Sequence, residues 1–429
     1  MTDIASAENW DGGSAKALAN VGARGGGFFG KLGVGTVNVQ AHASDHGAGD
    51  ALASALTVLA AGGSHGSAGI GAVTDIASAK NSGGGTAKAL AKVAARASGG
   101  DLAELNLGKI AVQALASDHG AGDAVASALA DIRVIGGSFG AADLHLGYLT
   151  DIASARNWGG GSAKALANAA GTSPRTIGVA GDIVVAANAH DFSGAAATAN
   201  AGLALTKGGF PSGVVSVGGD ISVIAHATDD ADGAARARAA VNVIGSEGAL
   251  PSFSVHVALG NVRVEAVAEE QGAGLASAAA LTDIEARTPS LPGVPPDFGD
   301  VTIGSLTDKA SAVSLGGGTA EALANVGLQA TAALKVGGAI DVEALASAQG
   351  HGNAVASALL NIHDGQPFPT GSVQLGALTD KAGARASGGA AKAAADASLE
   401  AAGPLHVGDV VVAADASGFA DSTHGAVTA

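Results

Sequence analysis

The chain contains no cysteine, one tyrosine, one methionine and two tryptophans, and its aromatics amount to 3%. Without thiols there is no disulfide framework and no thiolate metal site. Without bulky rings, 429 residues cannot build the large-side-chain cores of ordinary two- or three-domain proteins. Charge is sparse at 14%, and 38 acids against 22 bases leave a net charge of −16. This balance argues against nucleic acid as a partner and against adsorption to anionic lipid, since both require a basic surface. Positive mean hydropathy argues against disorder. No apolar run approaches the ~18 residues of a membrane-spanning helix, so no membrane insertion is expected. The opening MTDIASAENWDGG shows no basic stretch followed by an apolar one, so no signal peptide is visible. Export would then rely on other sequence or another signal.

What is abundant is small. Glycine numbers 68, about 16% and roughly twice average usage. The 47% of hydrophobic residues is mostly Ala, followed by Val, Leu and Ile. Glycine does not recur at every third position, and ten prolines are too few for collagen.

The chain is a repeat. TDIASA stands at Thr2–Ala7, Thr74–Ala79 and Thr150–Ala155, with variants at Thr307–Ala312 and Thr379–Ala384. Between them lie Gly-led segments such as GTVNVQAHA, GKIAVQALA and GDISVIAHA. The last Ala of each segment marks a unit: Ala7, Ala43, Ala79, Ala116, Ala155, Ala189, Ala227, Ala268, Ala312, Ala346, Ala384 and Ala416. Their spacings run from 32 to 44 and average about 37. The two segment types mostly alternate, so the super-repeat is near 72 residues. Such periodicity indicates a stacked array and no separate globular domain over residues 1–429.

Within a unit the apolar period is two. Ile110, Val112, Ala114 and Ala116 share one face; after a Gly-rich turn, Ala124, Ala126, Ala128 and Ala130 share another. This is the strand signature. Ala is also the best helix former, but pieces of about eight residues between Gly clusters are too short for stable helices. A third, shorter strand is expected at Leu144–Leu146, Val215–Val217, Val255–Val257 and Leu405–Val407. All ten prolines fall in the return stretch after the second strand, where no ladder is interrupted. The fold expected is all-β: a β-solenoid (parallel β-helix) of about twelve rungs with a narrow Ala/Val core. Stacked at ~4.8 Å per rung, it would be a rod about 58 Å long.

The lead-ins GDISVIAHA, GDIVVAANA and GNVRVEAVA resemble the rungs of filamentous-haemagglutinin-like and other large repeat adhesins. The resemblance implies a bacterial surface or matrix protein at the cell surface or outside the cell, and it carries no site residues.

Candidate chemistry is thin. Asp45 and Asp50, and Asp118 and Asp123, share ASDHGAGDA turns that would hold calcium between rungs or serve as plain turn residues. Calcium is the one cofactor considered. The Thr-Asp pairs recur at every second rung, too sparsely for an ice-binding face, and strand-start hydrogen bonding is the expected role. No Ser/His/Asp set or metal-ligand spacing stands out, so no enzymatic activity is expected. Phe28, Phe29, Phe139, Phe210, Phe253, Phe298 and Phe368 fall in the return loops, either plugging the rung edge or making lateral contacts between rods. Thr2, Asp3 and Ile4 at one end, and Val427 and Thr428 at the other, lie in repeat sequence with no cap. Open ladder edges are templates for another strand. The expectation is a homopolymeric fibre subunit stacking head to tail; the alternatives are the rod of an adhesin and a β-helical carbohydrate-binding or carbohydrate-cleaving protein.

Overall fold

A computed structural model describes residues 1–136, 141–208, 213–246, 254–287, 299–364, 372–418 and 427–428. The alternating small-residue pattern resolves into strands throughout, and no helix occurs among the described residues. Every pairing between strands is parallel, from one rung to the next, as in a β-solenoid. Sheet one holds the lead-in segments, from Thr2–Asn9 to Val410–Gly418. Sheet two holds the Ala-rich segments, from Ala15–Gly25 onward. Sheet three holds the short strands, such as Thr176–Val179, Gly213–Val217, Val255–Leu259 and Leu405–Val407.

Register is continuous along the rod. The twelve marker alanines pair one with the next from Ala7 to Ala416. In sheet two the column Ala19, Ala55, Ala91, Ala128, Ala167 and onward contains only alanine, and so, over the same rungs, do the next two inward columns toward the turn, those of Ala17 and Ala15. These columns line the corner where sheets one and two are joined by a tight turn. Toward sheet three the wedge widens, and Leu, Ile and Val fill it: Leu105, Leu144, Ile177 and Val215 form one buried column there. Alanine is used where two sheets converge, because a longer side chain would drive them apart.

The tightest stacking lies at the turn itself. A Cβ added to Gly83 would lie 1.3 Å from the Gly47 carbonyl oxygen. For Gly120 over Gly83 the separation would be 1.2 Å. Glycine is required there by the approach of the next rung's backbone, not by a left-handed φ; that applies at Gly12, with φ 77°.

Candidate functional site

At the end of the first nine sheet-one strands one polar side chain points into the turn, and Ala348, Ala386 and Gly418 follow in the last three. The column reads Asn9, Asp45, Asn81, Asp118, Asn157, Asp191, Asp229, Glu270 and Ser314 on successive rungs. From Asp45 to Ser314 all are buried. From Asp45 to Glu270 each carboxyl or amide oxygen accepts from an amide two residues on, as Gly47 N–H to Asp45 Oδ1 at 2.7 Å and Gly120 N–H to Asp118 Oδ1 at 2.6 Å. The asparagines also tie rungs together, Asn157 Nδ2 donating to the Gly122 carbonyl at 2.7 Å and Asn81 Nδ2 to that of Gly49 at 2.9 Å. Alternation keeps carboxylates two rungs apart. It lapses at Asp191, Asp229 and Glu270, on three consecutive rungs. There burial, with the Asp229 charge adding to it, raises the Glu270 carboxyl to about 7. Asp229 is raised by burial first, partly offset by the Ala231 amide.

The predicted calcium turns are therefore built as amide acceptors. Asp45 and Asp118 belong to this buried column, while Asp50 and Asp123 leave the turn on its far side. Asp50 Oδ1 accepts from the Thr86 amide at 2.8 Å, and Asp123 Oδ1 from the Ser162 amide at 2.7 Å. Among the described residues, no three His, Cys, Asp or Glu side chains stand close enough to hold a metal ion.

Just outside the buried column stand two stacks of rings, separated by Ser82. Trp10 stacks on His46 at 4.1 Å between centroids, His119 on Trp158 at 4.1 Å, and Trp158 on Phe192 at 5.1 Å. The rings cover one another's faces along the rod axis. Phe28 and Phe29 stand out from the rod, 67% and 65% exposed, edge to face with each other and close to His65. That exposure leaves the rung edge unplugged at this pair. Phe139, Phe210, Phe253, Phe298 and Phe368 lie outside the described residues.

A second buried column was not legible as such. In each Thr-Asp pair the threonine faces outward and the aspartate inward. Asp3, Asp75, Asp151, Asp308 and Asp380 share one interior column with Val39, Val112, Val185, Val223, Val264, Val342 and Val412. The four past Asp3 are fully buried. Thr57 Oγ1 donates to Asp75 and Thr282 Oγ1 to Asp308, each at 2.6 Å, from the preceding rung. Asp3 accepts from the Asn20 amide at 2.6 Å. Asp151 and Asp380 have no hydroxyl partner. Amides of Ala130 and Asn168 face Asp151, but neither carboxyl oxygen is met with hydrogen-bond geometry. Burial pushes Asp75 and Asp308 up to about 7 and Asp380 to about 6, and raises Asp151 well above the usual range. A buried carboxyl without a counter-charge holds its proton. The signal was the parity of TDIASA, which puts Asp75 on the same face as Ala77 and Ala79.

At one end of the rod, Thr2 and Ile4 point outward from the edge strand and Asp3 points inward. At the other, Val410, Val411 and Val412 are about half exposed. Val427 and Thr428 pair with Ala391 and Lys392. Outward, the Thr column is interrupted by Asn38, Ala111 and Val184, so no continuous threonine face exists.

Comparison with protein families, curated proteins and solved structures finds no match to this chain.

Proposed function

We propose that the chain is a structural protein, not an enzyme: a rod that stacks on further copies of itself into an extracellular fibre of a matrix, sheath or appendage. The observation that carries this reading is the continuity of the interior columns. If Val410–Gly418 of one copy pairs with Thr2–Asn9 of the next, Ala414 meets Ala5 and Ala416 meets Ala7. Val412 then meets Asp3, so the alternation of Val and Asp continues across the junction as it runs from Asp380 to Val412 within the chain. The edge strands of all three sheets supply free backbone donors and acceptors for such pairing. The lead-in pattern supports a second reading, in which the same rod is a spacer in a large cell-surface adhesin.

Light scattering across a concentration series, with electron micrographs, tests the fibre. Growth of filaments one rod wide is expected. Ala414→Lys, which places a charge on the open end of an Ala column, is expected to stop growth while the rod still folds. A monomer at every concentration, without filaments, sinks the proposal and leaves the spacer reading.

A further inference from the structure

The net charge conceals a local reversal. Sheet two turns a face of five outward columns to solvent. Over its first seven rungs that face carries nine Lys and Arg and a single carboxylate, Asp131, on a chain of net charge −16. Asp131 is held by Arg133 at 2.6 Å and Arg96 at 3.7 Å. One column runs Lys16, Leu52, Lys88, Val125, Lys164, Thr198, Arg236, so a cation recurs at every second rung. None of these four cations forms an ion pair among the described residues. Asp50 and Asp123, at the corner edge of this column, are occupied by the amides of Thr86 and Ser162. Beside the column lies a hollow of about 390 Å³ floored by Leu56, Val58, Leu90 and Ala94, with Arg24, Lys92 and Arg96 at its rim. The short side chain of Ala60 lies on the rung between Arg24 and Arg96 and leaves room there.

We propose that this face binds a linear acidic polysaccharide laid along the rod. The cations are spread over ~29 Å of axis, which suits a polymer and not a single headgroup. Their ~9.6 Å repeat is about the length of one disaccharide in an extended chain, so each cation meets one carboxylate per disaccharide: every carboxylate of hyaluronan, or every second one of a polyuronate such as alginate. The aliphatic residues between them give the C–H faces of the sugars an apolar floor. Nucleic acid fits less well. Its charges are several-fold denser along the axis, single strands are held by aromatic stacking, and no aromatic residue stands in these columns.

The test is binding of hyaluronan and alginate oligosaccharides, each long enough to span seven rungs, to the full chain by fluorescence anisotropy at low salt. Binding that weakens as salt rises is expected. The exposed triple variant Lys16→Gln, Lys88→Gln, Lys164→Gln should bind roughly tenfold more weakly, with an unchanged circular dichroism spectrum. Lys381→Gln with Arg385→Gln, on sheet one, should bind as the parent does. Binding of neither oligosaccharide, equal binding by the triple variant, or equal binding of neutral dextran overturns the proposal. Tighter binding of single-stranded DNA or of anionic vesicles at the same salt overturns it too, and assigns the face to that partner. Filament growth is read separately, so failure here leaves the fibre proposal standing.

Discussion

The corner where sheets one and two converge and the broad side closed by sheet three solve the same problem in opposite ways. At the corner every rung uses alanine, and the spacing of the sheets is set by a side chain that cannot vary. On the broad side Leu, Ile, Val and Ala substitute for one another from rung to rung: the sheet-two column Ala23, Leu59, Ala95, Ile132, Gly171, Leu205 changes size at each step. Large neighbours compensate small ones there, as the Leu205 side chain fills the space above Gly171. Uniform packing gives register; compensating packing gives tolerance. The interior aspartates stand on the boundary between the two zones.

The strongest break of this contrast is Ala128→Leu, which forces three extra carbons into the corner between Ala91 and Ala167. Loss of the folded rod is expected, by circular dichroism and protease resistance. A folded variant that loses only ~1 kcal/mol would show the corner to be as tolerant as the broad side.

Next in size is the effect of pH at the boundary. Near pH 3 Asp308 is protonated in both folded and unfolded chains. Between its ordinary 3.8 and about 7 the unfolded chain releases the proton while the folded chain keeps it. Stability therefore falls as pH rises through this window, by ~4 kcal/mol for one such group. Asp75 titrates in the same direction. Urea midpoints measured from pH 4 to 8 should decline, and Asp308→Asn should flatten the decline. A midpoint that climbs with pH, or a variant as steep as the parent, contradicts the buried neutral carboxyl.

On the broad side, Leu144→Ala should cost about 3 kcal/mol in urea denaturation and leave the rod folded, since a cavity there is open to partial collapse. The smallest effect is Thr282→Val. Removing the hydroxyl that serves Asp308 should cost ~1–2 kcal/mol and steepen the pH dependence, whereas Val326→Thr, one rung on, should leave that dependence unchanged. Equal effects would mean that the Thr282 bond does not hold the carboxyl.

Much of the rod was legible because strand parity and repeat length are local properties. The twelve marker alanines, read from spacing alone, are the residues that pair, and the short third strands fall at Leu144–Leu146 and Val215–Val217 as the alternation indicates. The Asp column was not legible, for a physical reason. Asp beside Thr at a strand start has an outward reading, and an uncompensated inward carboxyl contradicts the usual cost of burial. Only the partner strand, carrying Thr57 or an amide such as that of Asn20, shows how the interior receives it, and that strand is 17 or 18 residues away in sequence. The basic stripe was hidden likewise, because net charge sums over faces that the fold keeps apart.

The two-rung alternation of the interior column also bears on how such a gene lengthens or shortens. Duplicating an Asp-bearing unit next to itself would seat two interior aspartates on adjoining rungs. Duplicating a pair would restore the order Asp, Val, Asp, Val with nothing else altered. Recombination among these repeated segments is thus filtered at the aspartates, and an odd step in rod length should survive only where it leaves valines adjoining and no two aspartates on neighbouring rungs, as Val185, Val223 and Val264 adjoin here.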